Sequence, residues 1–286
     1  MTESRALGNI DSKNTGRVAQ RKRCCKRRMA IHPAAIVDPQ ARVSANADIG
    51  PYCIIGADVE IGARTQLMAH VYVEGVTYIG EDNIFYPYST IGVASQDLKY
   101  KGERAETRIG SRNKIREFVS IHRGTEGGGL VTQIGDDNLL MAYAHVAHDV
   151  QIGNHTQLGN AVTFAGHVSV EDWAVIEAFS GVHQFCRIGK HAFVGGYSVV
   201  TKDVLPYSMT VSPRESKVFG ENKVGLERRG FAKESIESLH KAFRLLTRSG
   251  LNTTQAVQRI REEVPECAEV GHLLAFMERS ERGFVK

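Results

Sequence analysis

The sequence predicts a mainly β protein, a left-handed parallel β-helix of hexapeptide repeats followed by a small C-terminal α-helical domain. Three observations carry this. Stepping by six from Ile134 gives Ile134, Leu140, Val146, Ile152, Leu158, Phe164, Val170, Ile176, Val182, Ile188, Val194 and Val200, with no polar member. In a chain that is 42% apolar, such a run has a chance probability on the order of 10⁻⁴. The position four further on is small or β-branched, as in Ala144, Val150, Thr156, Val162, Val168, Ala174, Ser180, Cys186, Ala192 and Ser198. One large and one small inward side chain per six residues suits a triangular coil of three short parallel strands, eighteen residues to the turn. Past Val200 the six-residue spacing gives way, and Ile236, Leu239, Phe243 and Leu246 fall at helical spacing.

The chain divides accordingly into residues 1–28, 29–212 and 213–286. The first segment is a basic extension expected to be disordered, or the product of a start upstream of Met29: it holds nine Lys/Arg against two Asp/Glu. The formal charge of +4 therefore belongs to the tail, and the remainder carries a net −3. The tail lacks the apolar segment of a secretory signal. From Val37 the six-residue register runs through Val43, Ile49, Ile55, Ile61, Leu67, Val73, Ile79, Phe85 and Ile91. Gly50, Gly56, Gly62, Gly80 and Gly92 follow apolar partners, where a corner is expected to need backbone freedom.

Two excursions interrupt the solenoid, across Val93 to Arg108 and across Arg123 to Gln133. Ile91 to Ile109 is eighteen residues, so the first is expected to occupy one coil's worth of chain; Ile121 to Ile134 is thirteen and shifts the register. Such insertions map to surface loops, often on the binding face. Lys99, Lys101, Arg104, Arg108, Arg112, Lys114, Arg116 and Arg123 cluster beside them on an otherwise acidic body; this is either a solvated face or a dock for an acidic partner. The glycine-rich Gly124-Thr125-Glu126-Gly127-Gly128-Gly129 lacks G-K-[ST] and does not lead a strand into a helix, which disfavours a phosphate loop. After Pro206 and Pro213, helices are expected up to Gly250, over Thr254–Glu263 and over Ala268–Arg279, capping the open end of the solenoid.

The five cysteines, Cys24, Cys25, Cys53, Cys186 and Cys267, form no disulfide framework, and Cys53 and Cys186 fall on small inward positions as reduced core residues. No apolar run is long enough to span a membrane.

Stacking at eighteen residues places His148, Gly166 and Gln184 in one column, with His167 and His183 beside the upper two. Three readings compete for these histidines and His145. A metal site would need three imidazoles on one ion, and the three-residue spacing of His145 and His148 on an extended chain disfavours it. A structural polar ladder is the second. The third is general base catalysis of acyl transfer: a neutral imidazole takes a proton from an alcohol attacking a thioester, the Gly166 N–H meets the oxyanion, Gln184 offers an amide to substrate oxygens, and Asp149 or a carbonyl fixes the tautomer. Arg228 and Arg229 are a pair able to bind a diphosphate or to face solvent.

The strings Gln96-Asp97-Leu98-Lys99-Tyr100, Ile121-His122-Arg123-Gly124-Thr125, Asp137-Asn138-Leu139-Leu140-Met141, Ala144-His145-Val146-Ala147-His148-Asp149, Phe164-Ala165-Gly166-His167-Val168, Val182-His183-Gln184-Phe185 and Arg228-Arg229-Gly230-Phe231 resemble the acyl-carrier-protein-dependent UDP-N-acetylglucosamine O-acyltransferases that open lipid A biosynthesis. The likeness covers about Ala30 to the C-terminus. It implies a cytoplasmic homotrimer with active sites in clefts between subunits, moving an R-3-hydroxyacyl chain from acyl carrier protein to the 3-OH of UDP-N-acetylglucosamine, with no cofactor, metal, nucleic acid or transmembrane segment. On this resemblance His148 matches the general base and Gly166 the oxyanion-binding amide. Asp97, Lys99, His145, His167, His183, Gln184, Asn222, Arg228 and Arg229 match positions that support the site or bind substrate, and Gly196 matches the floor of the acyl pocket. Val224 stands where the family commonly carries Glu, Glu177 where glycine is usual, and Ser212-Pro213-Arg214-Glu215-Ser216 replaces a glycine-asparagine sequence. Some relatives acylate a 3-amino sugar. Other hexapeptide acyltransferases and a plain β-helical scaffold are the alternatives.

Overall fold

The computed structural model describes residues 31–211 and 217–285; the basic extension, with Cys24 and Cys25, and Ser212 to Ser216 lie outside the described residues. The chain winds as a left-handed parallel β-helix whose strands, mostly two residues long, stack into three faces of nine, eight and ten strands. The first face begins with Ile36–Val37, the second with Arg42–Val43 and the third with Asp48–Ile49.

Within each strand pair one side chain enters the core and its neighbour faces out, because successive strand residues point to opposite sides. Ile134, Leu140, Val146, Leu158, Phe164, Ile176, Ile188, Val194 and Val200 are buried in one continuous column of apolar side chains. The small partners close the corners: Ala144, Val150, Val162, Val168, Ala174, Cys186, Ala192 and Ser198 are fully buried. Cys53 and Cys186 are free thiols in this core.

Where no insertion intervenes, partners are eighteen residues apart, as in His145↔Thr163 and Thr163↔Gly181. The first excursion departs from the expected accounting. Ile91 stands on the first face and pairs with Ile121, whereas Ile109 stands on the second and pairs with Ile79 and Ile134. The loop is thus extruded within one coil at a single corner and does not replace a coil. Vertical neighbours across it are thirty apart, and across the second excursion twenty-five, as in Ser120↔His145. Both loops leave the same edge, between first and second faces, that carries His148 in the following coil.

Of the five corner glycines, Gly92 takes the left-handed backbone expected, at φ 71°, and the other four do not. Twenty of the described non-glycine residues adopt positive φ, among them Tyr52, His70, Asp149, His167, Phe185 and His191. A Cβ on Gly50 or Gly62 would instead lie within 3 Å of the backbone of the next coil, so these positions are bare to let coils approach. The left-handed residues are held by stacking: Tyr52, His70, Tyr88, Phe118 and Tyr143 form a ladder with centroids 4.8–5.1 Å apart.

The helices are α1 (Lys223–Arg228), α2 (Lys233–Thr247), α3 (Thr253–Glu263) and α4 (Ala268–Glu278). Asn252 opens α3 with a capping box to Gln255. A second apolar cluster, containing Leu205, Tyr207, Leu226, Leu239, Phe243, Ile260 and Leu273, joins the helices to the end of the solenoid. An antiparallel pair, Ser208–Val211 with Lys217–Glu221, and the short α1 were not anticipated from the sequence. No helix of the described residues is long and apolar enough to cross a membrane.

Candidate active site

His148 occupies the corner after the first-face strand His145–Val146. Its Nδ1 lies 2.8 Å from Asp149 Oδ2. Since an ionised carboxylate only accepts, Nδ1 carries the proton and the Nε2 lone pair is free. Asp149 is itself immobilised: its Oδ1 accepts from the Thr125 amide at 2.8 Å, its Oδ2 from the Thr125 hydroxyl at 2.5 Å, and its own amide donates to Thr132 Oγ1 at 2.8 Å. The second excursion is therefore clamped onto the carboxylate that orients His148. Gly128 permits it, because a Cβ there would fall 2.0 Å from Asp149 Cγ.

Gly166 is the next residue of the column. A Cβ at this position would sit 2.4–2.5 Å from Cε1 and Nε2 of His148, so the absent side chain is what lets the imidazole lie against the corner. The corner geometry leaves the amide at this position without an acceptor among the described residues, at His148 and Gln184 as well. His167 stacks on Phe185 at 4.4 Å and meets the His148 ring edge-on at 5.0 Å. Burial lowers the His167 pKa, with Asp149 and Asp97 opposing, which puts the first excursion within electrostatic reach of the same corner. There Asp97 Oδ1 accepts from the Lys99 amide in a tight turn, and Lys99 is exposed.

His145 faces outward from its strand, accepts or donates at 2.7 Å with Ser120 Oγ, and meets His122 edge-on at 4.8 Å. Burial lowers its pKa. His122, given no role from the sequence, is buried with an Nδ1 that has no partner among the described residues; burial and then the neighbouring His145, His148 and Arg123 pull it down to about 4. Thr125 and Thr132 also escaped sequence reasoning. His148, Asp149 and His167 have ligand atoms within 4.8 Å of one another, the only such cluster among the described residues. The Asp149 oxygens already take three protein donors, which favours hydrogen bonding over a metal.

Other candidates lie elsewhere on the same chain. Asn222, Arg228 and Arg229 line a pocket of about 490 Å³ with Gln157, Val175 and Glu177, on the third face. Asn222 caps α1 through the Gly225 amide, and Arg229 stands over Trp173 at 5.4 Å. Gly196 is at the corner between third and first faces, where a Cβ would meet Ala178 O at 3.2 Å and Glu177 Cβ at 3.8 Å. Val224 lines the pocket of Arg228. A single chain thus unites His148, Gly166, Gln184, His145, His167, His183, Asp149 and Asp97 along one edge and sets Asn222, Arg228, Arg229 and Gly196 on others.

Hexapeptide coils wound into a left-handed parallel β-helix define the hexapeptide-repeat class of proteins, here with a carboxylate-held imidazole at one corner. Comparisons narrow the class. Residues 203–285 match the family model described as Udp N-acetylglucosamine O-acyltransferase, domain 2, and residues 132–166 match the bacterial transferase hexapeptide repeat. The chain is 47% identical over 256 residues to a Thermodesulfovibrio yellowstonii protein named acyl-[acyl-carrier-protein]–UDP-N-acetylglucosamine O-acyltransferase, covering 90% of this chain and 99% of that one. The solved LpxA of Acinetobacter baumannii superposes with a TM-score of 0.86 at 43% identity, over 90% of this chain and 99% of that one. The Francisella novicida UDP-N-acetylglucosamine acyltransferase does so with 0.87 at 38%, over 90% and 94%. The chain belongs to the UDP-N-acetylglucosamine O-acyltransferase family.

Proposed function

We propose that the protein transfers an R-3-hydroxyacyl chain from acyl carrier protein to the 3-OH of UDP-N-acetylglucosamine in the cytoplasm, the first step of lipid A biosynthesis, with His148 as general base. The observation that carries this reading is the 2.8 Å contact of His148 Nδ1 with the clamped Asp149, which leaves Nε2 as the proton acceptor. Nε2 takes the proton of the sugar 3-OH as its oxygen attacks the thioester carbon. The Gly166 N–H donates to the oxyanion that forms. Collapse breaks the carbon–sulfur bond, and the departing thiolate takes the proton back from His148 Nε2. An ester and the carrier's free thiol result.

In this reading Gln184, His145, His167 and His183 bind or orient the acceptor sugar and thioester. Asp97 and Lys99 stand at the entrance with the basic cluster for the acidic carrier. Asn222, Arg228 and Arg229 hold the nucleotide, and Gly196 is the floor of the acyl pocket. Because these groups occupy different edges of one chain, the complete site forms in the cleft of a homotrimer. Residues 29–212 act as the catalytic solenoid and 213–286 as the helical domain. Incubation with UDP-N-acetylglucosamine, its 3-amino analogue and acyl carrier proteins of defined chain length, read by mass spectrometry, tests the proposal. An O-acylated sugar nucleotide is expected; acylation of the 3-amino sugar alone, or of neither, would overturn it.

A further inference from the structure

The C-terminal segment returns to the solenoid one coil beyond Gln184. It is anchored on both sides of Arg282: the Ser280 hydroxyl donates to Asp203 Oδ2 at 2.8 Å, the Asp203 amide to Gly283 O at 3.0 Å, and the Val285 amide to Asp203 O at 2.8 Å. So held, Arg282 extends the stack of His167 and Phe185, its guanidinium 5.8 Å from the Phe185 ring centre. One guanidinium nitrogen lies 2.9 Å from His183 Nδ1.

His183 Nδ1 also lies 3.2 Å from its neighbour's carbonyl, Gln184 O. The two contacts demand opposite protonation. A guanidinium has no lone pair and keeps its protons, so Nδ1 facing it must accept; a carbonyl facing it would need Nδ1 to donate. The guanidinium contact is shorter and charge-assisted, and it decides the tautomer.

We infer that Arg282 is a positioning residue that locks His183 in the neutral Nε2–H form, so that the exposed His183 presents a donor beside the Gln184 carboxamide to an oxygen acceptor of the bound substrate. This rests on the acyl-transfer reading for the identity of that substrate, but not for the tautomer. Without Arg282, Nδ1 is free to donate to Gln184 O, and the outward nitrogen turns from donor to acceptor.

Nitrogen NMR of the full-length, ¹⁵N-histidine-labelled protein at about pH 8 separates the two forms, with the His183 signals assigned by their loss in His183→Gln. The intact protein is expected to show a protonated Nε2 and a bare Nδ1 at His183, and Arg282→Ala to exchange them. Arg282→Lys, which keeps a permanent donor, is expected to retain the original form. In steady-state assays Arg282→Ala should raise KM for the acceptor sugar about tenfold and leave kcat within about twofold, as loss of one ground-state hydrogen bond does. An unchanged tautomer in Arg282→Ala overturns the inference, and so does an exchanged tautomer with an unaltered KM. If no acyl transfer is found with any carrier, the spectra still report on Arg282, so the two failures are told apart.

Discussion

Two of the solenoid's corners set histidines in stacks whose surroundings differ in kind. On the edge between first and second faces, His148 donates to a carboxylate at 2.8 Å, abuts a glycine and keeps 13% of its side chain exposed. On the edge between second and third faces, His155, Trp173, His191 and Tyr207 form a continuous stack, with Phe231 edge-on to His191. His191 is buried, its Nδ1 has no partner among the described residues, and burial followed by the Arg229 cation holds it down at about 4. His191 cannot accept a proton near neutral pH, whereas the carboxylate beside His148 stabilises the imidazolium a general base becomes. Histidine content does not distinguish the two corners; the partner of Nδ1 does.

The contrast breaks most simply at His148. Replacing it with Ala is expected to lower kcat by about 10²–10⁴ with the fold intact, as circular dichroism and sizing would verify. Turnover near that of the wild type would remove His148 from the chemistry.

The second blow is steric. Gly166→Ala keeps the amide but drives a methyl to within 2.4 Å of the imidazole, and a ring displaced by about 1 Å costs on the order of 10²-fold in kcat. An unaffected kcat would mean that the ring sits elsewhere during catalysis.

Asp149→Asn tests the partner itself. The amide can turn its oxygen to His148 Nδ1 or to the Thr125 donors but cannot serve all as a carboxylate does, and a loss of roughly 10–100-fold is expected. The loop clamp should loosen as well, so proteolysis between Arg123 and Leu130 is expected to quicken. If kcat holds while the loop loosens, Asp149 is a loop anchor and not an orienter of the base.

How much of this could be read from the sequence follows from where the period of six survives. Between Ile134 and Val200 nothing interrupts it, so His148, Gly166 and Gln184 were legible as one column from arithmetic alone. Thr125 and Gly128 were not, because they belong to an insertion whose length sets a twenty-five-residue offset that only the strand pairing reveals. The pairing of His122 with His145 was hidden by the same offset. The left-handed backbone at Asp149, His167 and Phe185 was hidden for another reason: local preference favours glycine or asparagine there, and stacking between coils overrides it. The arginine pocket escaped placement because Asn222 and Arg228 belong to a short helix docked by tertiary contacts, outside any repeat.

The smallest effect belongs to the other corner. The unfolded chain protonates His191 near 6.5, while the folded one resists until about 4. Between those values the unfolded state binds the extra proton, so folded stability is fully present above about 6.5 and is lost as pH falls towards 4, by on the order of 3 kcal/mol. His191→Phe keeps an aromatic ring in the stack between Trp173 and Tyr207 and removes both the proton site and the orphaned nitrogen. Thermal melts from about pH 7 to 4 should therefore fall less steeply in the variant than in the parent. Some acid sensitivity will persist, since His122 is held near 4 by its own burial. Identical slopes would mean that His191 meets water or an acceptor in the folded state, and the physical distinction between the two corners would then rest on Asp149 alone.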